Sequence, residues 1–345
     1  MELYVAEEED VRLSHAGKRQ GDWIAETARI MQHQNESLDF GFILQGFSGL
    51  AEIQIPLFFV FLLIYLFTLK GNILIISVIF RNTCLQSPMY FFLRNLSFLD
   101  ITYSSVIQPK LLSTLITGDG AISHAGCITQ LYFFMCLTCT EFILLTAMGY
   151  DRYVAICDPL HYPIIMNKLS CFLLAASCWI IGFLDPLAHT IVISGLPFCG
   201  FVITHFYCDY SVLVKLSCID TVLIERMSLI FGSLVGFTTF SLTIISYFYI
   251  ISTILKISSN HGRQKAFSTC VSHLTVVILF YGTVLITYMR PTSQYSTSEG
   301  LAFSVFYTVL TPMLNPLIYS LRNQDVRRSI KQILHLHYKR RSVLL

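Results

Sequence analysis

The sequence predicts an all-α membrane protein: a bundle of seven membrane-spanning helices with its N-terminus outside. Three observations carry that reading. Of the 345 residues, 54% are hydrophobic and 13% are charged, about half the ~25% charge of soluble domains. Seven stretches are long and apolar enough to cross a hydrocarbon core, which takes ~20 helical residues. Lysine and arginine gather on one side of those stretches. A chain this apolar excludes a soluble enzyme, a nucleic-acid binder and a disordered protein.

The elements follow in order. Residues 1–50 are polar, include Glu7-Glu8-Glu9-Asp10 and hold no apolar core of a cleavable signal. They read as an outer tail, with 1–30 a disordered extension because large apolar residues are few. The spans run near 56–80, 88–112, 127–155, 171–193, 224–255, 268–289 and 300–321, within one domain covering 51–321. Barrel strands need only ~10 residues with strict alternation, so a strand reading fails. Connections are short apart from 194–223, and the absence of an internal repeat speaks against an inverted-repeat transporter. Residues 322–345 form a cytoplasmic tail. There Val326, Ile330, Ile333 and Leu334 share a helix face, with Arg327, Arg328 and Lys331 among them. That pattern predicts an amphipathic helix on the membrane lipid of the inner leaflet.

With the N-terminus outside, fourteen Lys and Arg lie in inner segments and eight in outer ones. Four of those eight sit in the long tail, where the positive-inside bias is weak. Asn35-Glu36-Ser37 then offers Asn35 as an external glycosylation acceptor. Asn95-Leu96-Ser97 falls inside the second span and reads as chance.

Polar residues inside the spans mark the interior. An ionised side chain at mid-bilayer costs ~2.5–3.5 kcal/mol or more, so Asn72, Asp100, Glu141 and Asn315 should face one another. Glu141 precedes Arg152 by eleven residues, or about 1100°, which puts both on one helix face. Asp100 and Glu141 together suit a cation or a shared proton. Asn315-Pro316-x-x-Tyr319 sets a helix breaker beside a polar group, a natural hinge. The eleven cysteines, an odd count in a long chain, are no disulfide scaffold, and Cys136-x-x-Cys139 reads as core packing. No metal site, cofactor or catalytic constellation is expected. Cys127 opens span three on the outside, and Cys199, Cys208 and Cys218 lie in the long outer loop. The residues alone leave both Cys127–Cys208 and Cys127–Cys218 open.

Four motifs now sharpen the class. Pro88-Met89-Tyr90-Phe91-Phe92-Leu93 opens span two. Met148-Gly149-Tyr150-Asp151-Arg152-Tyr153-Val154-Ala155-Ile156-Cys157 closes span three. Lys265-Ala266-Phe267-Ser268-Thr269-Cys270, continued by Ser272-His273-Leu274, leads into span six. Pro312-Met313-Leu314-Asn315-Pro316-Leu317-Ile318-Tyr319 ends span seven. In this order and spacing, over roughly 35–335, the chain resembles the olfactory receptors, which are G-protein-coupled. Tyr288-Met289-Arg290-Pro291 is similar to the tetrapod-type branch.

The resemblance implies a small-molecule odorant as ligand, a stimulatory olfactory G protein raising cyclic AMP, trafficking chaperones as further partners, and no nucleic acid. It implies a switch made of Asp151, Arg152, Tyr153, Tyr247, Lys265, His273, Asn315, Pro316 and Tyr319. It implies the pairs Cys127–Cys208 and Cys199–Cys218. The odorant is expected between spans three, five, six and seven. Phe134, Met135 and Thr138 follow the face fixed by Arg152 and Glu141, and the family pattern adds Phe231 and Val235. Tyr281 is expected as the floor, with Val284, Leu285 and Tyr288 above it, Thr308 on span seven, and Tyr210 as a lid. Such a lining, mostly apolar with a few hydroxyls, suits a neutral hydrophobic volatile. Two residues depart from the family: Gly149, usually Ala, and Lys70, at a position normally apolar.

Overall fold

The computed structural model describes residues 41–47, 53–288, 297–322 and 326–329. Asn35, the segment 1–30 and the expected amphipathic residues beyond 329 lie outside the described residues, as do the side chains of Lys265, Leu285 and Tyr288.

Seven long helices form the body. They are α1 (Gln54–Arg81), α2 (Pro88–Thr117), α3 (His124–Cys157), α4 (Lys168–Ser194), α5 (Val222–Lys256), α6 (Asn260–Tyr288) and α7. The last, α7, begins as Thr297–Val305, passes through a π-helical stretch, Phe306–Leu310, and resumes as Thr311–Arg322. Six of the expected spans lie within one helix each; the sixth, 268–289, follows α6 to Tyr288, and Met289 lies outside the described residues. Five are long and apolar enough to cross a membrane by length and composition alone. The shortfall has a chemical reason: α2 carries Arg94, Asp100, Gln108 and Lys110, and α6 contributes only the shorter apolar stretch Cys270–Val284.

Local chemistry sets the helix ends. Ser123 caps α3 by accepting from the Gly126 N–H at 3.1 Å, and Asn167 caps α4 through Ser170 at 2.9 Å. Gly118 ends α2 in the left-handed region, φ 72°, where a side chain would be strained. Prolines at 109, 186 and 316 interrupt α2, α4 and α7. The α3 helix is central and packs on α2, α4, α5 and α6. It approaches α4 so closely that a β-carbon at Gly182 would sit 2.0 Å from Thr140 Oγ1. Trp179 on α4 donates to Asn95 on α2 at 3.2 Å, tying the same edge.

The outer end is capped by a small sheet of order β2-β1-β3. Its strands are β1 (Phe42–Leu44), β2 (Ala121–Ile122) and β3 (Val202–Ile203). The central strand belongs to the segment that reads as polar tail in the sequence. It pairs antiparallel with the loop after α2 and parallel with the loop after α4. Gly120 is required there, because a β-carbon would meet the Leu44 carbonyl oxygen at 2.2 Å. Beneath the sheet lies a second core that includes Phe42, Leu44, Leu131, Phe198 and Ile203. Cys127 is joined to Cys208 and Cys199 to Cys218.

Candidate functional site in the bundle

Three polar layers stack along the bundle. The first is at the C-terminal end of α3. Arg152 Nε donates to Asp151 Oδ2 at 2.9 Å, and its terminal nitrogen makes a closer contact to the same oxygen. Tyr162 of the following loop donates to Asp151 Oδ1 at 2.8 Å. The guanidinium is thus held on its own helix. One turn deeper, His273 of α6 bridges two neighbours. Its Nε2 lies 3.1 Å from the Leu145 carbonyl of α3, which can only accept, so Nε2 carries the proton. Its Nδ1 therefore accepts from the Tyr247 hydroxyl of α5 at 2.7 Å. The rings of Tyr247 and His273 stack with an interplanar angle of 14°. One buried imidazole therefore fastens α6 to both α3 and α5. Tyr153 packs beside this cluster.

The middle layer joins α1, α2, α3 and α7. Asn315 donates to both oxygens of Asp100, at 3.0 and 3.2 Å. Pro316 has no N–H, so the Pro312 carbonyl lacks its partner within the helix. Asn72 of α1 supplies one at 3.2 Å. Gly71 allows that approach, since a β-carbon there would lie 3.0 Å from the Pro316 ring. Glu141 is buried and within electrostatic reach of Asp100. Glu141 Oε1 and the Tyr319 hydroxyl are buried with no hydrogen-bond partner among the described residues. Asp100, Glu141 and Asn315 thus come together, whereas Asn72 reaches the backbone of α7 at the Pro312 carbonyl rather than any of those side chains. No group of three or more His, Cys, Asp or Glu among the described residues is placed to hold a metal ion.

The outer layer differs from the sequence expectation. The loop before Cys208 dips into the mouth of the bundle. Tyr207 stacks near Phe134 with ring centroids 4.9 Å apart, and its hydroxyl touches that of Tyr307 on α7. Phe134 also meets Tyr103 at 5.7 Å. His205 is held twice: the Phe206 N–H donates to Nδ1 at 3.1 Å, so the protonated Nε2 donates to Ser304 at 3.0 Å. Burial pushes the His205 imidazole below its usual pKa, against the opposing charge of Asp209. Gln130 fixes the loop by accepting from the Cys208 N–H and donating to the Val106 carbonyl, both at 3.0 Å.

The expected pocket residues divide. Phe134, Tyr281, Val284 and Thr308 are buried, and Met135, Thr138 and Val235 are half-buried. Thr138 donates to the Phe134 carbonyl at 2.8 Å and lies 3.4 Å from the Tyr103 hydroxyl. Tyr281 packs against Phe142 and Phe240 and reaches the Phe142 carbonyl at 3.5 Å. Two residues require correction. Tyr210 is not the lid: its hydroxyl donates to Ser228 and lies 3.2 Å from the Ile224 carbonyl, which docks it on α5. His205, Phe206 and Tyr207 cover the mouth instead. Their signal was an aromatic run directly before Cys208 in an outer loop. Phe231 is 42% exposed and packs edge-on against His189 of α4. The α5 helix is apolar on most sides, so periodicity does not single out its inner face.

Comparison with known proteins adds the deciding observation. The sequence profile described as olfactory receptor matches residues 61–337. This chain belongs to the olfactory receptor family. It is 48% identical to human olfactory receptor 1L4 over 299 residues, covering 86% of this chain and 96% of that protein. It is 48% identical to human olfactory receptor 10A4 over 307 residues (88% and 98%) and 47% identical to mouse olfactory receptor 10J5 over 300 residues (87% and 97%). The receptor is accordingly a multi-pass protein of the plasma membrane and, as a family member, an odorant-sensing G-protein-coupled receptor. The seven helices, and the pairs Cys127–Cys208 and Cys199–Cys218, agree with what the resemblance implied.

Proposed function

We propose that this receptor binds a small, neutral, largely hydrophobic volatile in the outer half of the bundle and activates a stimulatory olfactory G protein, raising cyclic AMP. The observation that carries the reading is the set of fastenings on α6. It is held by one neutral histidine, and the G-protein-facing Arg152 is paired on its own helix. A ligand seated near Phe134, Thr138, Tyr281 and Val284 presses on α6 two turns above that histidine. Releasing His273 frees the inner end of α6 to swing out, which exposes Arg152 to the G protein. Lys265 and Tyr153 border the opening. Pro316, with its borrowed hydrogen bond, lets α7 follow.

Leu285 and Tyr288 complete the upper wall. Asp100 and Glu141 hold a monovalent cation or share a proton in the packed form. The N-terminus lies outside with Asn35 glycosylated, and the segment after α7 lies along the inner leaflet. Val326 and Ser329 are buried there while Arg327 and Arg328 are exposed, and Asn82 bonds Ser329 at 2.6 Å, which supports that placement. Trafficking chaperones bring the chain to the surface. So few ligand atoms limit affinity to the order of micromolar Kd or weaker. The test is cyclic AMP in transfected cells exposed to an odorant panel, with surface receptor measured in parallel. A surface-expressed receptor that raises no cyclic AMP with any neutral odorant, yet responds to charged ones, overturns the ligand class.

A further inference from the structure

We propose that the outer end of this receptor holds a second small-molecule site, separate from the bundle pocket, that takes a neutral amphiphile with an alkyl body and one hydrogen-bonding head. Gln45, Gly46 and Phe47, after β1, face Leu111, Thr114 and Leu115 of α2 across a partly open cavity of about 280 Å³. That size is at the lower edge of the ~300–1,000 Å³ of small-molecule pockets, so it suits a fragment-sized ligand. Phe47, Leu111, Leu115 and Phe206 give it apolar walls. No charged side chain among the described residues lines it, which disfavours an ion.

The head group has a defined place. Thr114 lines the cavity, and its buried hydroxyl has no hydrogen-bond partner among the described residues. A buried hydroxyl left unpaired is unfavourable, and a turn of the Thr114 side chain about χ1 brings it to the cavity, where a ligand hydroxyl or carbonyl satisfies it. Gln45 and Gln54 add amides to the same lining. Exposed Ile43 and Val202 also contribute, so the cavity opens among apolar surface that attracts such a molecule.

The two sites share a wall. Phe206 stacks on Phe47 with centroids 5.6 Å apart, and the next residue, Tyr207, packs on Phe134. A molecule in the outer cavity therefore sets the position of Phe206 and, through the backbone, of Tyr207 at the mouth of the bundle.

The test is photolabelling of the purified full-length receptor in lipid nanodiscs, using an aliphatic alcohol that carries a diazirine. It reads covalent label rather than signalling, so it stands apart from the odorant reading. Saturable labelling is expected on peptides containing Phe47 or Leu111 to Leu115, displaced by octanol. Leu115→Trp fills the cavity and should abolish that label while leaving any label on the peptide with Phe134. If Leu115→Trp fails to fold, Thr114→Val carries the test. It should weaken octanol competition by roughly tenfold, the scale of one lost hydrogen bond, without changing competition by a hydrocarbon of similar size. Label that does not saturate, that persists in folded Leu115→Trp, or that is indifferent to Thr114→Val overturns the proposal.

Discussion

Replacing His273 with Phe tests the fastening of α6 most directly. The substitution keeps an aromatic ring of similar size, so the stack on Tyr247 survives, but it removes both hydrogen bonds of the imidazole. Each such bond is worth ~0.5–1.5 kcal/mol net. If both exist only while α6 is packed inward, the packed form loses ~1–3 kcal/mol, and the ratio of open to packed receptor rises ~5–150-fold. An open form populated at ~0.1–10% in the parent then becomes a substantial fraction. The assay is cyclic AMP without odorant, divided by surface receptor, and a clear rise is expected. Tyr247→Phe removes the bond to Nδ1 together with the longer 3.3 Å contact to the Cys270 carbonyl, keeps the bond from Nε2 to Leu145, and should give a smaller rise, ~2–12-fold. Basal cyclic AMP that stays at the parental level in both variants, with normal surface receptor, refutes the latch. A fall would mean that His273 serves the open form instead.

Other predictions follow from single sites. Gly149→Ala should raise the melting temperature by a few degrees in a detergent-solubilised assay. It regains ~0.8–1.0 kcal/mol of helix propensity, and the new methyl lies 3.7 Å from His273 and 3.8 Å from Thr243, ordinary contact distances. Lys70→Leu should raise surface expression, read by flow cytometry. Lys70 is exposed on α1, about 16 Å of helix from Arg81, where a cation in lipid costs ~2.5–3.5 kcal/mol or more. Once an agonist is found, Thr138→Val and Val284→Phe should each shift its half-maximal concentration severalfold at unchanged surface level. Deleting residues 1–30 should leave surface level and odorant response intact, because the strand that anchors the outer end starts at Phe42.

The parts legible in the sequence were those written as long apolar runs or as charges that lipid would punish. The spans emerged from hydropathy, and the convergence of Asp100 with Asn315 followed from the cost of isolating either. Other parts left little trace. A three-residue strand such as Phe42–Leu44 has no periodicity to detect, and its partners lie in two distant loops. The π-helical stretch in α7 is a local change of hydrogen bonding, not of composition, although Pro312 just after it cannot donate to the Thr308 carbonyl. The roles of His205 and Tyr207 depend on how deep the loop dips, which Cys208 and Gln130 set together. Phe231 was misplaced because lipid, like a protein core, rewards an apolar side chain on either side of α5.

The outer sheet also dictates an order of assembly. Its central strand, β1, leaves the ribosome before any of the seven long helices, yet its antiparallel neighbour follows α2 and its parallel neighbour follows α4. For most of synthesis the strand waits with both edges unsatisfied, a short extended segment open to capture by another chain. Closure comes late, when Val202 and Ile203 arrive and Cys208 can find Cys127. The first strand of the sheet to be made is thus among the last parts to be secured. Anything fused just before Gly41 must stay out of the way until four helices have crossed the membrane.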